Sequence, residues 1–171
     1  MSTQIRILLV VVVLALYPAS ETWACGCSGI PTIKESMEQS LIVISGKVLS
    51  EEYWSKDKGS EILSEDFNPE GIGFTIVQLQ IEHIYKTFMQ LDTITIITPT
   101  EESACGFNFE IGRRYIVYAW ISDKRFTKHL IESSADNLVF STGLCTRTIE
   151  WNSKEHEDLL EETGNKGRKE D

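Results

Sequence analysis

Cys25 and Cys27 stand one residue apart, directly behind a stretch that reads as an export signal, and this pair constrains the fold more than any other feature of the chain. The signal consists of Arg6, the apolar run Ile7 to Tyr17, the polar stretch Pro18 to Glu21 and the small residue Ala24, which is the three-part layout of a secretory leader. Eleven apolar residues are too few for a membrane-spanning helix, which needs about 20, so no transmembrane segment is expected. Cleavage after Ala24 assigns residues 1–24 to the leader and makes Cys25 the mature N-terminus. A lipoprotein signal would also leave a cysteine first, but it requires an aliphatic residue where this chain has Thr22. A lipid anchor on Cys25 is therefore not favoured, and the expected destination is secreted or periplasmic.

The mature chain is one domain's length and can bury a single ordinary core. Its cysteines are Cys25, Cys27, Cys105 and Cys145, an even set in an exported protein, which predicts two disulfides. A bridge between Cys25 and Cys27 would close a strained ring around one residue. Two pairings remain, and both tie the N-terminus to distant positions. Loops of about 80 and 120 residues closed in this way contribute on the order of 4 to 5 kcal/mol each in the chain-entropy model. A zinc or redox site is not expected, because paired zinc ligands are usually spaced by two to four residues and redox pairs by two. No resident cofactor is predicted.

Sixteen basic against 26 acidic residues give a net charge of −10. Phosphate binding needs a basic surface, so nucleic acid is excluded as a partner, and the acidity reads as solubility.

Thr32 and Glu35 have capping-box spacing, and Ile33, Met37 and Leu41 recur at i, i+4, which predicts a short N-terminal helix with one apolar face. The β-branched run Leu41 to Leu49 predicts a first strand, with Gly46 placed where a bulge or barrel bend would use it. Residues Ser50 to Gly73 are polar and punctuated by glycine and proline, which predicts a long connection. Strands are expected at Phe74 to Tyr85, Thr93 to Thr98, Tyr115 to Ile121, Phe126 to Ile131 and Leu138 to Ser141. Ser153 to Glu162 reads as a helix anchored by Leu159 and Leu160, and residues 163–171 as a charged, disordered tail. Five or six strands with one short helix and irregular connections point to a small closed barrel, which leaves no open edges.

Several of these residues together carry a resemblance. The mature Cys-x-Cys start, the short helix, Ser45-Gly46-Lys47-Val48, Ser103-Ala104-Cys105-Gly106, Gly112 to Tyr118 and Cys145-Thr146-Arg147-Thr148 resemble the N-terminal inhibitory domain of tissue inhibitors of metalloproteinases, in particular that family's bacterial homologues. The resemblance covers Cys25 to about Leu160. It implies an all-β fold, a five-stranded Greek-key OB-fold barrel of the netrin-like type with a short N-terminal helix and a C-terminal helix, over residues 25–162. It also implies bridges from Cys25 to Cys105 and from Cys27 to Cys145. In that family the α-amino group and carbonyl of the first cysteine chelate the catalytic zinc of a target protease. Carried over, the inhibitory ridge is Cys25, Gly26, Cys27 and Ser28 with Glu102, Ser103 and Ala104 beside them, and the only metal contact is that of Cys25 with the partner's zinc.

Other chemistry is not expected. His83, His129 and His156 are scattered and read as surface or packing residues; Glu51-Glu52, Glu101-Glu102 and Glu161-Glu162 read as solvated carboxylates in loops or at helix ends. No nucleotide-binding glycine loop or metal-ligand cluster occurs, so no enzyme is predicted. Tyr53, Trp54 and the acidic stretch to Glu70 form a second candidate recognition surface. Two functions follow: an exported metalloprotease inhibitor whose partner is a zinc protease, or a netrin-like module that binds another extracellular protein or serves the cell envelope.

Overall fold

The computed structural model describes residues 25–54, 73–100, 104–122 and 138–164. The apolar run of the expected leader, the expected strand Phe126 to Ile131, Glu102 and Ser103, most of the expected long connection and the end of the expected tail lie outside the described residues.

The capping box forms as its spacing predicts. Thr32 Oγ1 accepts from the Glu35 N–H at 3.2 Å, and the Glu35 carboxylate accepts from the Thr32 N–H at 2.8 Å, which starts helix α1 (Ile33–Gln39). The Thr32 N–H and the Thr32 hydroxyl, both donating to the Glu35 carboxylate at 2.8 Å, hold that carboxyl below its ordinary pKa. The helix stops before Leu41, which is partly exposed rather than part of the apolar face; Ile33 and Met37 pack inward on either side of the buried Ser36. The Ser40 backbone has already turned extended to enter the sheet.

Five strands close a barrel. They are β1 (Ile42–Trp54), β2 (Phe74–Lys86), β3 (Thr93–Pro99), β4 (Arg114–Ile121) and β5 (Val139–Ser141), with a short β6 (Ile149–Glu150) added outside the ring. The ring runs β1-β2-β3-β5-β4 and closes where Ile42 to Lys47 pair with Ala119 to Arg114. All pairings are antiparallel except β3 with β5, which is parallel. β6 lies beside the first half of β4, pairing Glu150 with Tyr115, while β5 takes the far end of the same edge at Trp120 and Ile121. The expected first strand is five residues too short at its C-terminal end, since Ser50 to Trp54 pair with β2 down to Phe74. Glu51 and Glu52 are thus exposed strand residues rather than loop residues. A polar strand edge carries no alternation for a sequence reading to detect; only the partner strand fixes it.

Gly46 works as its position suggests. The register of β1 against β2 shifts between Ser45 and Gly46, and a Cβ at Gly46 would sit 2.6 Å from the Gln80 carbonyl oxygen. Backbone cannot yield as a flexible side chain could, so Gly46→Ala is expected to lower stability by about 2 kcal/mol. Urea unfolding with an unchanged slope checks this, and a neutral substitution would show that the bend has slack.

Among the described residues there are two buried apolar clusters, not one. Inside the barrel lie Ile42, Ile44, Val48, Val77, Leu79, Ile96, Val117 and Phe140. On the outside, Val43, Tyr85, Ile116, Tyr118 and Leu159 pack beneath α1 and helix α2 (Ser153–Glu162). This explains why Ile42-Val43-Ile44 reads as continuous rather than alternating: alternate residues face the barrel interior and the helices, so both faces are dry. Leu159 is fully buried and Leu160 packs against the same cluster, the anchoring expected for α2. Thr163 and Gly164 still belong to the cap of α2. Trp120 and Ile121 are both 44% exposed at the end of β4. Among the described residues no helix is long and apolar enough to cross a membrane.

Candidate functional site

The disulfide-linked N-terminal arm is the chemically distinctive region. Cys25 bridges Cys105 and Cys27 bridges Cys145, each with 5.2 Å between Cα atoms, so none of the four cysteines is free. This is the pairing that the resemblance implies. The two bridges pack on each other, with Cys25 Sγ 3.6 Å from Cys145 Sγ and Cys145 Sγ 4.0 Å from Cys105 Sγ. Gly26, Cys27 and Ser28 are exposed and Cys25 is half-buried. Ala104 is half-buried beside Cys105, and both line the same cleft.

Local chemistry holds each bridge partner in place. Cys105 takes a left-handed backbone, φ 64°, which turns its carbonyl to accept the Leu144 N–H at 2.9 Å. That carbonyl would lie 2.6 Å from a Cβ at Gly143, so only glycine lets the two loops touch. Phe107 N–H donates to Thr98 Oγ1 at 2.9 Å and ties the other side of the Cys105 loop to β3. The turn carrying Cys145 is fixed by a knot of threonine hydroxyls. Thr142 Oγ1 lies 2.7 Å from Thr148 Oγ1 and 3.0 Å from Thr146 Oγ1 and donates to the Tyr118 carbonyl at 2.9 Å. Thr146 Oγ1 donates to the Gly143 carbonyl at 2.7 Å.

Arg147 locks the arm to the rest of the molecule. Its Nη1 donates to the Pro31 carbonyl at 2.9 Å, while Nε and Nη2 grip the Glu155 carboxylate at 2.5 and 2.8 Å. Glu155 is buried on α2 and also accepts from Tyr118 Oη at 2.7 Å. Burial, together with the adjoining Glu155, drives the Tyr118 phenol far above its ordinary pKa, which favours the protonated phenol that donates to Glu155. Its pairing with Glu155 holds the Arg147 guanidinium above its ordinary value. Arg147 was legible only as part of a motif, and nothing in the sequence paired it with a carboxylate on a helix.

Between this arm, α1 and the Thr142–Arg147 turn lies a cleft of about 370 Å³, walled chiefly by Pro31, Gln39, Pro99, Trp120, Thr146 and Arg147. Ser36 also lines it, and its buried Oγ has no hydrogen-bond partner among the described residues. The histidines prove less scattered than their spacing suggests. His83 and His156 meet with ring centroids 5.4 Å apart, and His156 Nδ1 lies 2.5 Å from Tyr85 Oη. They are packing groups at the seat of α2; His129 lies outside the described residues.

Of the expected ridge, then, Cys25, Gly26, Cys27, Ser28 and Ala104 come together around the bridges, and Glu102 and Ser103 fall outside the described residues. Only the start of the second candidate surface is described: Tyr53 is about half exposed at the end of β1, and the stretch beyond Trp54 is not. The chain matches no protein-family model and no curated protein sequence.

Proposed function

We propose that the chain is an exported, disulfide-stapled inhibitor of zinc metalloproteases built on a Greek-key OB-fold barrel, and that it is not itself an enzyme. Support for the barrel type comes from the insertion of β5 between β3 and β4. The single observation that carries the inhibitory reading is the way Cys25 is held: bridged to Cys105 at the rim of the barrel, with Gly26, Cys27 and Ser28 exposed after it. Once the leader is removed, a neutral α-amine and a carbonyl oxygen on that one residue form a five-membered chelate. A catalytic zinc keeps an open position for water, and occupying it removes the nucleophile that the protease needs. Two bridges set the arm's geometry in advance, so little ordering cost remains on binding.

Acetylating the Cys25 amine of the processed protein is the test. Inhibition of zinc proteases by the free-amine form, lost on acetylation, is the expected result; indifference to acetylation would refute the mechanism. A specific feature favours a second reading. Gly26 is exposed and has no side chain to place in a protease specificity pocket, where the resembled family presents Thr or Ser. A netrin-like module that binds another extracellular protein has no use for such a side chain, and it would show no protease inhibition in either form.

A further inference from the structure

Three of the cysteine sulfurs form a cluster, and the fourth is bonded to one of them. Cys25, Cys105 and Cys145 place their Sγ atoms within 4.8 Å of one another, and Cys27 Sγ is bonded to Cys145. We propose that this cluster is a two-state site: a disulfide knot when oxidised, and a thiolate site for a thiophilic divalent ion such as zinc or cadmium when reduced. The proposal does not depend on the inhibitory reading.

The spacing of Cys25 and Cys27 argues against a metal site only if those two residues are the ligand pair. In space the grouping is different. Cys25 meets Cys105 and Cys145, from two loops held against each other by the Leu144 N–H to Cys105 carbonyl bond. Tetrahedral zinc with bonds of about 2.3 Å to sulfur needs sulfurs about 3.8 Å apart. The contacts of Cys145 with Cys25 and Cys105, 3.6 and 4.0 Å, already bracket that value. Only the two bonded pairs must open, and Cys27 becomes the natural fourth ligand. The supporting turn does not depend on the bridges, because the threonine knot and the Arg147 clamp hold it by hydrogen bonds.

Access favours the change. Cys27 and Cys145 are exposed, and exposed bridges are the more reducible ones. A dithiol supplies two electrons and two protons to each bridge, leaving two thiols and the oxidised cyclic disulfide. The metal then displaces the thiol protons to solvent, so its binding strengthens as pH rises.

The experiment is an anaerobic titration of the processed protein with Cd²⁺, with and without prior reduction by a dithiol that is then removed. It is followed by thiolate-to-metal charge-transfer absorption, by native mass and by far-ultraviolet circular dichroism. The reduced chain is expected to take up one ion while keeping its β signal, and the oxidised chain none. Cys145→Ser, which removes the central sulfur, is expected to weaken binding in the reduced state by about 100-fold, and Cys27→Ser by about 10-fold. Three results would each overturn the proposal: no uptake by the reduced protein, loss of the β signal with Cd²⁺ present, or equal weakening by all four Cys→Ser variants, as for chelation by an unfolded chain. Where Cys145→Ser fails to fold, protection of the wild-type thiols from alkylation by one equivalent of Cd²⁺ decides in its place: protection of all four with the β signal kept supports the site, and unhindered alkylation overturns it.

Discussion

Replacing Cys25 and Cys105 by Ser, or Cys27 and Cys145 by Ser, lowers unfolding stability by about 4 kcal/mol in each case, and the two losses are nearly equal. Sequence separation alone predicts otherwise, since the bridges span 80 and 118 residues and the longer loop would be worth more. The bridges are nested, however, and their N-terminal ends lie two residues apart. With either bridge in place, the other closes only a short path, down the arm and along the chain between Cys105 and Cys145, which are 40 residues apart. That path is the same whichever bridge is removed, so the chain-entropy cost is the same. Urea unfolding of both double variants checks the equality. Losses differing by more than about 1 kcal/mol would show that native contacts around one bridge, not denatured-chain entropy, dominate.

Arg147→Ala is expected to cost about 3 kcal/mol, because it leaves the Glu155 carboxylate buried without its cation. The side chain of Glu155 is 7% exposed and that of Arg147 25%, so water reaches the cation side and keeps the loss at the low end for a broken buried pair. Tyr118 Oη remains a donor to the carboxylate but brings no charge. Replacing both partners, Arg147→Met with Glu155→Leu, should recover much of the loss, since apolar residues of similar volume leave no unmatched charge. Thermal or urea unfolding of the two variants measures this directly. Failure of the double variant to improve on the single would locate the loss in the Pro31 contact instead of in the ion pair.

Where local chemistry decides structure, the sequence was readable. Thr32 and Glu35 formed the capping box, Gly46 marked the bend, and the strands over Phe74 to Lys86, Thr93 to Pro99 and Arg114 to Ile121 followed from β-branched patterning. The cysteines limited the pairing to two arrangements, and the resemblance implied the one that is present. Strands with weak patterns were not readable: the polar end of β1 and the two residues of β6 exist because a partner edge was available, not because their side chains favour a strand.

The sequence by itself determined a small β protein whose Cys25 and Cys27 are stapled to distant loops, because cysteine number, apolar periodicity and capping spacing act within a few residues or through covalent bonds. Only the tertiary structure decided that the apolar residues divide between the barrel interior and a second layer under two helices, that Arg147 reaches a buried Glu155, and that two bridges form one sulfur cluster. These depend on residues far apart in the chain meeting at a common surface, and no local propensity encodes such distances.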